Sequence, residues 1–422
     1  MPCSREEHCP PRYACGAGGV CVPDPEEARD AGPDDVDDDA GVPSDGGVDD
    51  AGPDGGGVDA GPEGPPAWWS AAHALAVVLD VTGGATAVAD VPVVIDAPLQ
   101  SLIGARGTLD GDSPRVIEHG ASGAVELPSF FSGTDGGGAL AFLLPGELAA
   151  GETRRLWLYL ALVEEGGVGQ PAYWLNEARN PVVGPSVAID DLDSESLRTY
   201  HLTEPGLAVI LNNCWRLYST GVDHFGAPSQ LGNDRFTPLQ VATVRLDQPG
   251  LVVVESMASA GPARARLLTL LTSERGILSA LRVEELPPGE PLEVYAYADI
   301  DIPDGDASDD TGLIDRSVDA AVIEDSDTSQ QVALIHDGRG EAETVGVIDT
   351  VANQVRTRTL SAADELVTGD GAAAMRWLFP TVTAPVMVKD ATLLVDGRSD
   401  AERIGRRFFA PTAVLGTVVD RP

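Results

Sequence analysis

From residue 67 onward no stretch of this chain sustains the 3.6-residue apolar period of an amphipathic helix; its apolar residues come in short runs instead. His73–Val81, Val91–Ile95, Ala139–Leu144 and Leu156–Ala161 are separated by Thr-Gly-Gly, Gly-Asp and Asp-Gly-Gly-Gly signals. Runs of this length, bounded by Gly, Pro and Asp, predict strands. Residues 67–165 therefore read as one β-sandwich. Eight further runs follow: Leu207–Leu211, Leu239–Leu246, Leu251–Ser256, Arg264–Leu271, Leu292–Tyr297, Gln331–Ile335, Thr344–Ile348 and Ala391–Val395. They predict a second and larger sandwich over 166–422, in which only Ser361–Val367 and Ala401–Phe408 suit short helices. Trp68-Trp69 and Tyr173-Trp174 flank the first sandwich and read as plugs for its ends. The expected fold class is all-β, with two consecutive sandwiches, the second supersandwich-like.

Ahead of them lies a different kind of chain. Residues 24–66 hold fifteen acidic side chains against one base, Arg29, and contain no aromatic residue, Leu or Ile. Asp-Ala-Gly-Pro recurs at Asp30, Asp50 and Asp59. Nothing there offsets the entropy of ordering, so this segment reads as a disordered acidic tether. Before it, Cys3, Cys9, Cys15 and Cys21 follow one another with five residues between each pair. Zinc knuckles need shorter Cys-x2–4-Cys spacings. Four cysteines in a short Gly/Pro-rich segment predict a knob closed by two disulfides over 1–23, in any of three connectivities. Oxidised cysteines imply export, to the outside of the cell or its outer surface, although no signal segment precedes Cys3. Cys214, in Asn-Asn-Cys-Trp, reads as a buried unpaired thiol.

Charge narrows the partners. The chain of 422 residues carries 67 acidic and 27 basic side chains, a net −40, and its one lysine is Lys389. That balance excludes non-specific nucleic-acid binding, which needs cations to displace counterions from phosphate. It also argues against anionic lipid surfaces. No apolar run approaches the ~18 residues of a transmembrane helix.

Three resemblances add expectations. The pattern CSREEHCPPRYACGAGGVC with its acidic linker resembles the Cys-rich knobs of deltaproteobacterial surface proteins. The order Trp-Trp, ALAVVLDV, DVPVVID, GALAFLLP, LWLYLA over 67–165 is similar to a bacterial surface-domain family of unknown function (number 2341). It departs from that family at Gly111-Asp112-Ser113-Pro114-Arg115, where an Asp-Leu-Arg signature is expected. Over 200–400, the turn Gly261-Pro262-Ala263-Arg264 and the segment LPPGEPLEVYAYADID are similar to the supersandwich of galactose-mutarotase-like domains. That resemblance implies a sugar groove.

Two clusters could carry chemistry. Asp299, Asp301, Asp304, Asp306, Asp309 and Asp310 fall within twelve positions. Alternate Asp residues in a Gly-containing loop supply the hard oxygens that calcium needs, and the alternative is a solvated acidic loop. Trp215, Tyr218, His224, Asn233, Asp234 and Arg235 combine flat rings with hydrogen-bonding groups, which suits a polysaccharide or surface glycan; equally, Trp215 could be core. For catalysis, His201, His224 and His336 are the available acids, with Glu255 or Asp234 as base, but no spacing pairs them. The function expected is a non-catalytic, exported glycan-binding or surface-interaction protein, with a carbohydrate-active epimerase or lyase as the alternative.

Overall fold

The computed structural model describes residues 13–15, 21–23, 65, 67–134, 137–179, 181–191, 198–202, 210–219, 222–223, 243–260, 263–286, 291–301, 308–340, 342–360, 365–366, 368–382 and 385–422. The chain divides into two units, Met1–Asp59 and Ala60–Pro422. In the first, Tyr13–Cys15 pairs antiparallel with Cys21–Pro23, and Cys15 stands directly opposite Cys21. Cys3 and Cys9 lie outside the described residues.

The second unit is all-β, built from four antiparallel sheets. A five-stranded sheet runs Thr412–Asp420, Leu75–Thr82, Thr153–Leu160, Arg115–Gly120, Gly123–Leu127. Facing it is a three-stranded sheet of Val88–Ala97, Gly137–Leu148 and Ser129–Thr134. Next comes a ten-stranded sheet: Trp174–Glu177, Thr243–Gln248, Leu251–Ala260, Ala263–Leu271, Gly276–Glu285, Val386–Val395, Gln331–His336, Ala320–Glu324, Thr311–Asp315, Glu365–Leu366. The fourth sheet has eight strands and includes Ile210–Ser219, Leu292–Asp301, Gly371–Phe379 and Ala342–Val347.

Three apolar layers separate these sheets, which explains why the sequence shows runs rather than alternation. In Val91–Ile95, Val91, Val93 and Ile95 face the five-stranded sheet while Val94 faces the ten-stranded one. Val252 and Val254 likewise pack toward the eight-stranded sheet, and Leu251 and Val253 toward the first sandwich. A strand covered on both faces has no polar side to show. The outer face of the five-stranded sheet is covered in turn by Trp68 and Trp69 over Trp157 and Tyr159. These tryptophans lie across a face rather than plugging an end. Trp174 sits between layers, its Nε1 donating to the Ser129 carbonyl and the Arg115 guanidinium over its ring. Arg115, from the stretch that departs from the surface-domain signature, is a buried pin that donates to the carbonyls of Asp112, Pro114 and Gly169.

Two sequence expectations need correction. The helices found are Leu99–Ile103, Ile348–Thr357 and Arg398–Phe408. The last matches the expected Ala401–Phe408, whereas Glu365–Leu366 is a strand inside the segment read as helical. The boundary at 166 also fails at the far end of the chain. Helix Arg398–Phe408 packs Ala401, Ile404 and Phe408 on the ten-stranded sheet, and Arg407 reaches Glu274 and the Asp90 carbonyl. The chain then returns to the first sandwich, where Thr412–Asp420 pairs with Leu75–Thr82. An open edge beside Leu75–Thr82 would leave a row of unpaired backbone groups, and the last strand satisfies them.

A charged cluster joins the sandwiches. Arg266 Nη1 donates to Ser132 Oγ and Glu255 Oε1, each at 3.0 Å, and its Nε donates to Glu284. Arg282 links Glu284 (3.0 Å) to Asp96 (2.7 Å), and Arg245 holds the other Glu255 oxygen at 2.7 Å. Asp96 and Ser132 come from the three-stranded sheet, and the remaining members from the ten-stranded one. Glu255 is thus held by two arginines and the Ser132 hydroxyl rather than by a described histidine.

Candidate functional site

The hairpin Thr311–Asp315/Ala320–Glu324 presents a group of interest at each end. At its turn, Asp319 adopts a left-handed backbone (φ 51°), and its carbonyl accepts the His336 N–H at 3.2 Å. His336 ends the neighbouring strand Gln331–His336 in the ten-stranded sheet, and the chain then crosses to Ala342–Val347 in the facing sheet. That crossing brings Glu343 onto His336 Nε2. Ligand atoms of Asp319, His336 and Glu343 lie within 4.8 Å of one another. Asp319 is exposed, Glu343 half-buried and His336 buried, with its ring against Trp377.

The hydrogen bonds define the tautomer. Nδ1 accepts the Gly338 N–H at 2.9 Å, so the neutral ring carries its proton on Nε2, where Glu343 accepts it. A metal on Nε2 would need a proton on Nδ1, facing another N–H. The bonded pair of His336 and Glu343 suits proton sharing rather than metal binding, with the Asp319 carboxylate close by.

Beside this group is a cleft of about 380 Å³ lined by residues that include Ser317, Asp319, Asp337, Glu402, Arg406 and Phe409. Helix Arg398–Phe408 supplies its far wall: Ala401, Ile404 and Phe408 face the core, and Glu402 and Arg406, one turn apart and paired, face the cleft. Asp337 accepts from Trp377 Nε1 at 3.2 Å and pairs with Arg339. Lys389 lies within electrostatic reach of both; burial pushes its ammonium down to about 8, with Asp337 opposing and Arg339 assisting.

At the hairpin's other end, Asp309 and Asp310 meet Asp325, with one oxygen of each within 4.8 Å of the others. Asp310 Oδ2 accepts the Gly371 N–H at 3.1 Å, and Asp325 Oδ1 accepts the Thr328 N–H. Of the four described acids among the six expected to act together, Asp309 and Asp310 are brought to this point. Asp299 and Asp301 belong to strand Leu292–Asp301, opposite Asn212 and Ile210, and Asp299 is buried. Asp304 and Asp306 lie outside the described residues. Asp325, fifteen positions on, carried no signal beyond an acid in a turn.

Of the glycan candidates, Trp215 and Tyr218 stand on strand Ile210–Ser219, as does Cys214, and His201 stands on Arg198–Leu202. His224, Asn233, Asp234 and Arg235 lie outside the described residues. The cleft and Glu343 were missed by sequence reading, because they depend on which loops a crossing between sheets brings together.

No family model matches the chain, and no curated protein matches it. Among solved structures the chain is similar to a bacterial glucoamylase complexed with acarbose, at 10% identity and a TM-score of 0.36. The similarity covers 56% of this chain and 35% of that one, so it spans about a third of the neighbour's length. No activity is carried over from it. The class that fold and site define is an all-β protein of four stacked sheets with an acidic surface cleft. No described helix is long and apolar enough to cross a membrane.

Proposed function

We propose that this is an exported, cell-surface protein that binds a neutral glycan without transforming it. The observation that carries the reading is the cleft beside Asp319. Its volume matches one or two sugar rings. Phe409 offers a flat apolar surface for sugar C–H groups, Asp319 and Glu402 accept from hydroxyls, and Arg406 donates. Asp319, Asp337 and Glu402 against Arg406 leave the lining net acidic, which repels uronate or sulfated chains and selects neutral ones. The export part of the reading is supported by the cysteine spacing and the acidic tether.

A second reading, a carbohydrate-active enzyme, is favoured by one observation: His336, bonded to Glu343 and close to Asp319, lines the same cleft. Calorimetric titration of the full chain with a panel of neutral oligosaccharides, with chromatography of the products, separates the two. The expected result is saturable binding with no product, weakened about tenfold in Phe409→Ala, as loss of a stacked ring would give. Product formation that disappears in Glu343→Gln would establish the enzyme. Absence of binding to every neutral glycan would reject the cleft as a sugar site.

A further inference from the structure

We propose that Asp309, Asp310 and Asp325 hold a calcium ion, a site independent of the glycan cleft at the other end of the hairpin. Asp310 is 1% exposed and Asp325 fully buried, yet Asp310 Oδ1 and Asp325 Oδ2 meet no hydrogen-bond donor. Both belong to the set whose oxygens converge within 4.8 Å. Buried carboxylates in that condition are costly unless a cation or proton neutralises them. The charges acting on Asp310 are all of its own sign, from Asp325, Asp309 and Asp370. Burial, reinforced by those neighbours and opposed by the Gly371 N–H, pushes its carboxyl up to about 7. Glu255 and Glu284 elsewhere in the molecule are held by arginines, whereas the charged neighbours that act most on Asp310 are carboxylates.

The donor set identifies the ion. All the converging atoms are carboxylate oxygens, with neither nitrogen nor sulfur, which selects a hard cation over zinc or copper. Gln330 Oε1, also buried without a donor, belongs to the loop that Asp325 closes through its N–H to the Gln330 carbonyl. The oxygens come from 309–310 and 325, on separate loops, with 370–371 packed against them. Loops of this kind adjust to the six to eight ligands of calcium more readily than to magnesium's strict octahedron. Calcium would thus tie the segment 309–310 to the turn that begins at Asp325.

Thermal unfolding of the full chain, in chelator and with Ca2+ added alone or replaced by Mg2+, tests the site. Binding to the folded state at a hundredfold excess over Kd is expected to raise Tm by on the order of 5 °C, with magnesium giving less. Asp325→Asn and Asp309→Asn should each abolish the rise, because both remove a ligand charge while keeping the side chain's shape. The acidic tether can also attract calcium, and the variants separate that contribution, since it is intact in them. A wild-type Tm that is the same in calcium and in chelator overturns the proposal. So does a calcium-induced rise that survives undiminished in both variants.

Discussion

Replacing Arg266 with alanine is expected to cost about 3–5 kcal/mol of unfolding free energy, the usual consequence of removing one partner from a buried ionic cluster. Arg266 is 6% exposed and donates to Ser132, Glu255 and Glu284 at once. Without it, Glu255 keeps Arg245 and the Ser132 hydroxyl, and Glu284 keeps Arg282 as its cation, at the layer that joins the sandwiches. Lysine in its place should recover part of the loss, since one ammonium cannot reach two carboxylates in the forked geometry of guanidinium. The measurement is denaturant unfolding followed by tryptophan fluorescence, comparing wild type, Arg266→Ala and Arg266→Lys. A cost below about 1 kcal/mol for the alanine variant would show that the cluster behaves as an exposed set of ion pairs, contrary to its burial.

Acid is expected to remove about 3 kcal/mol of stability through His73 alone. Burial presses its imidazolium down to about 4, Arg115 works in the same direction, and the bond to the Ser113 carbonyl and the charge of Asp110 oppose them. The ring lies against Trp69, and Nε2 donates to the Ser113 carbonyl at 3.2 Å, so the folded protein holds it neutral. The unfolded chain takes up a proton near 6.5, whereas the folded one does so only near 4. Its contribution is therefore fully present above about pH 6.5 and is lost as pH falls toward 4. The size follows from a depression of between two and three pH units at about 1.4 kcal/mol each. Stability measured from pH 8 to 4 should fall more steeply in wild type than in His73→Gln. Proton NMR of the His73 ring should show no titration above pH 5, and a midpoint near 6.5 would refute the assignment.

How much of this was legible in the sequence differs from element to element. Strand positions were legible because Gly, Pro and Asp punctuate the runs: Arg264–Leu271 was expected and Ala263–Leu271 is found, and Gln331–Ile335 became Gln331–His336. Helix Ile348–Thr357 was not, because its first residues continue the apolar run of the preceding strand. The acidic loop was legible only as composition. Strand Leu292–Asp301 carries Asp299 and Asp301 away along the eight-stranded sheet, while the hairpin register of Thr311 opposite Glu324 sets Asp325 beside Asp310. Asp80 and Asp96 show the same limit, since one pairs with Arg155 across a neighbouring strand and the other with Arg282 in a different sandwich.

By itself, then, the sequence determined the all-β class and the number and approximate places of its apolar runs. Those properties are local, set by side-chain period and turn chemistry within a few residues. It also determined the acidic balance of the chain, which depends on composition alone. Tertiary structure decided the rest. Pairing of Thr412–Asp420 with Leu75–Thr82 joins residues more than three hundred positions apart. Meeting of His336 with Glu343 depends on a crossing between facing sheets, and convergence of Asp309, Asp310 and Asp325 depends on hairpin register. Contacts of this kind arise because the same apolar strand can pack on many surfaces, and only the sheet order that buries both faces of the central strands selects one.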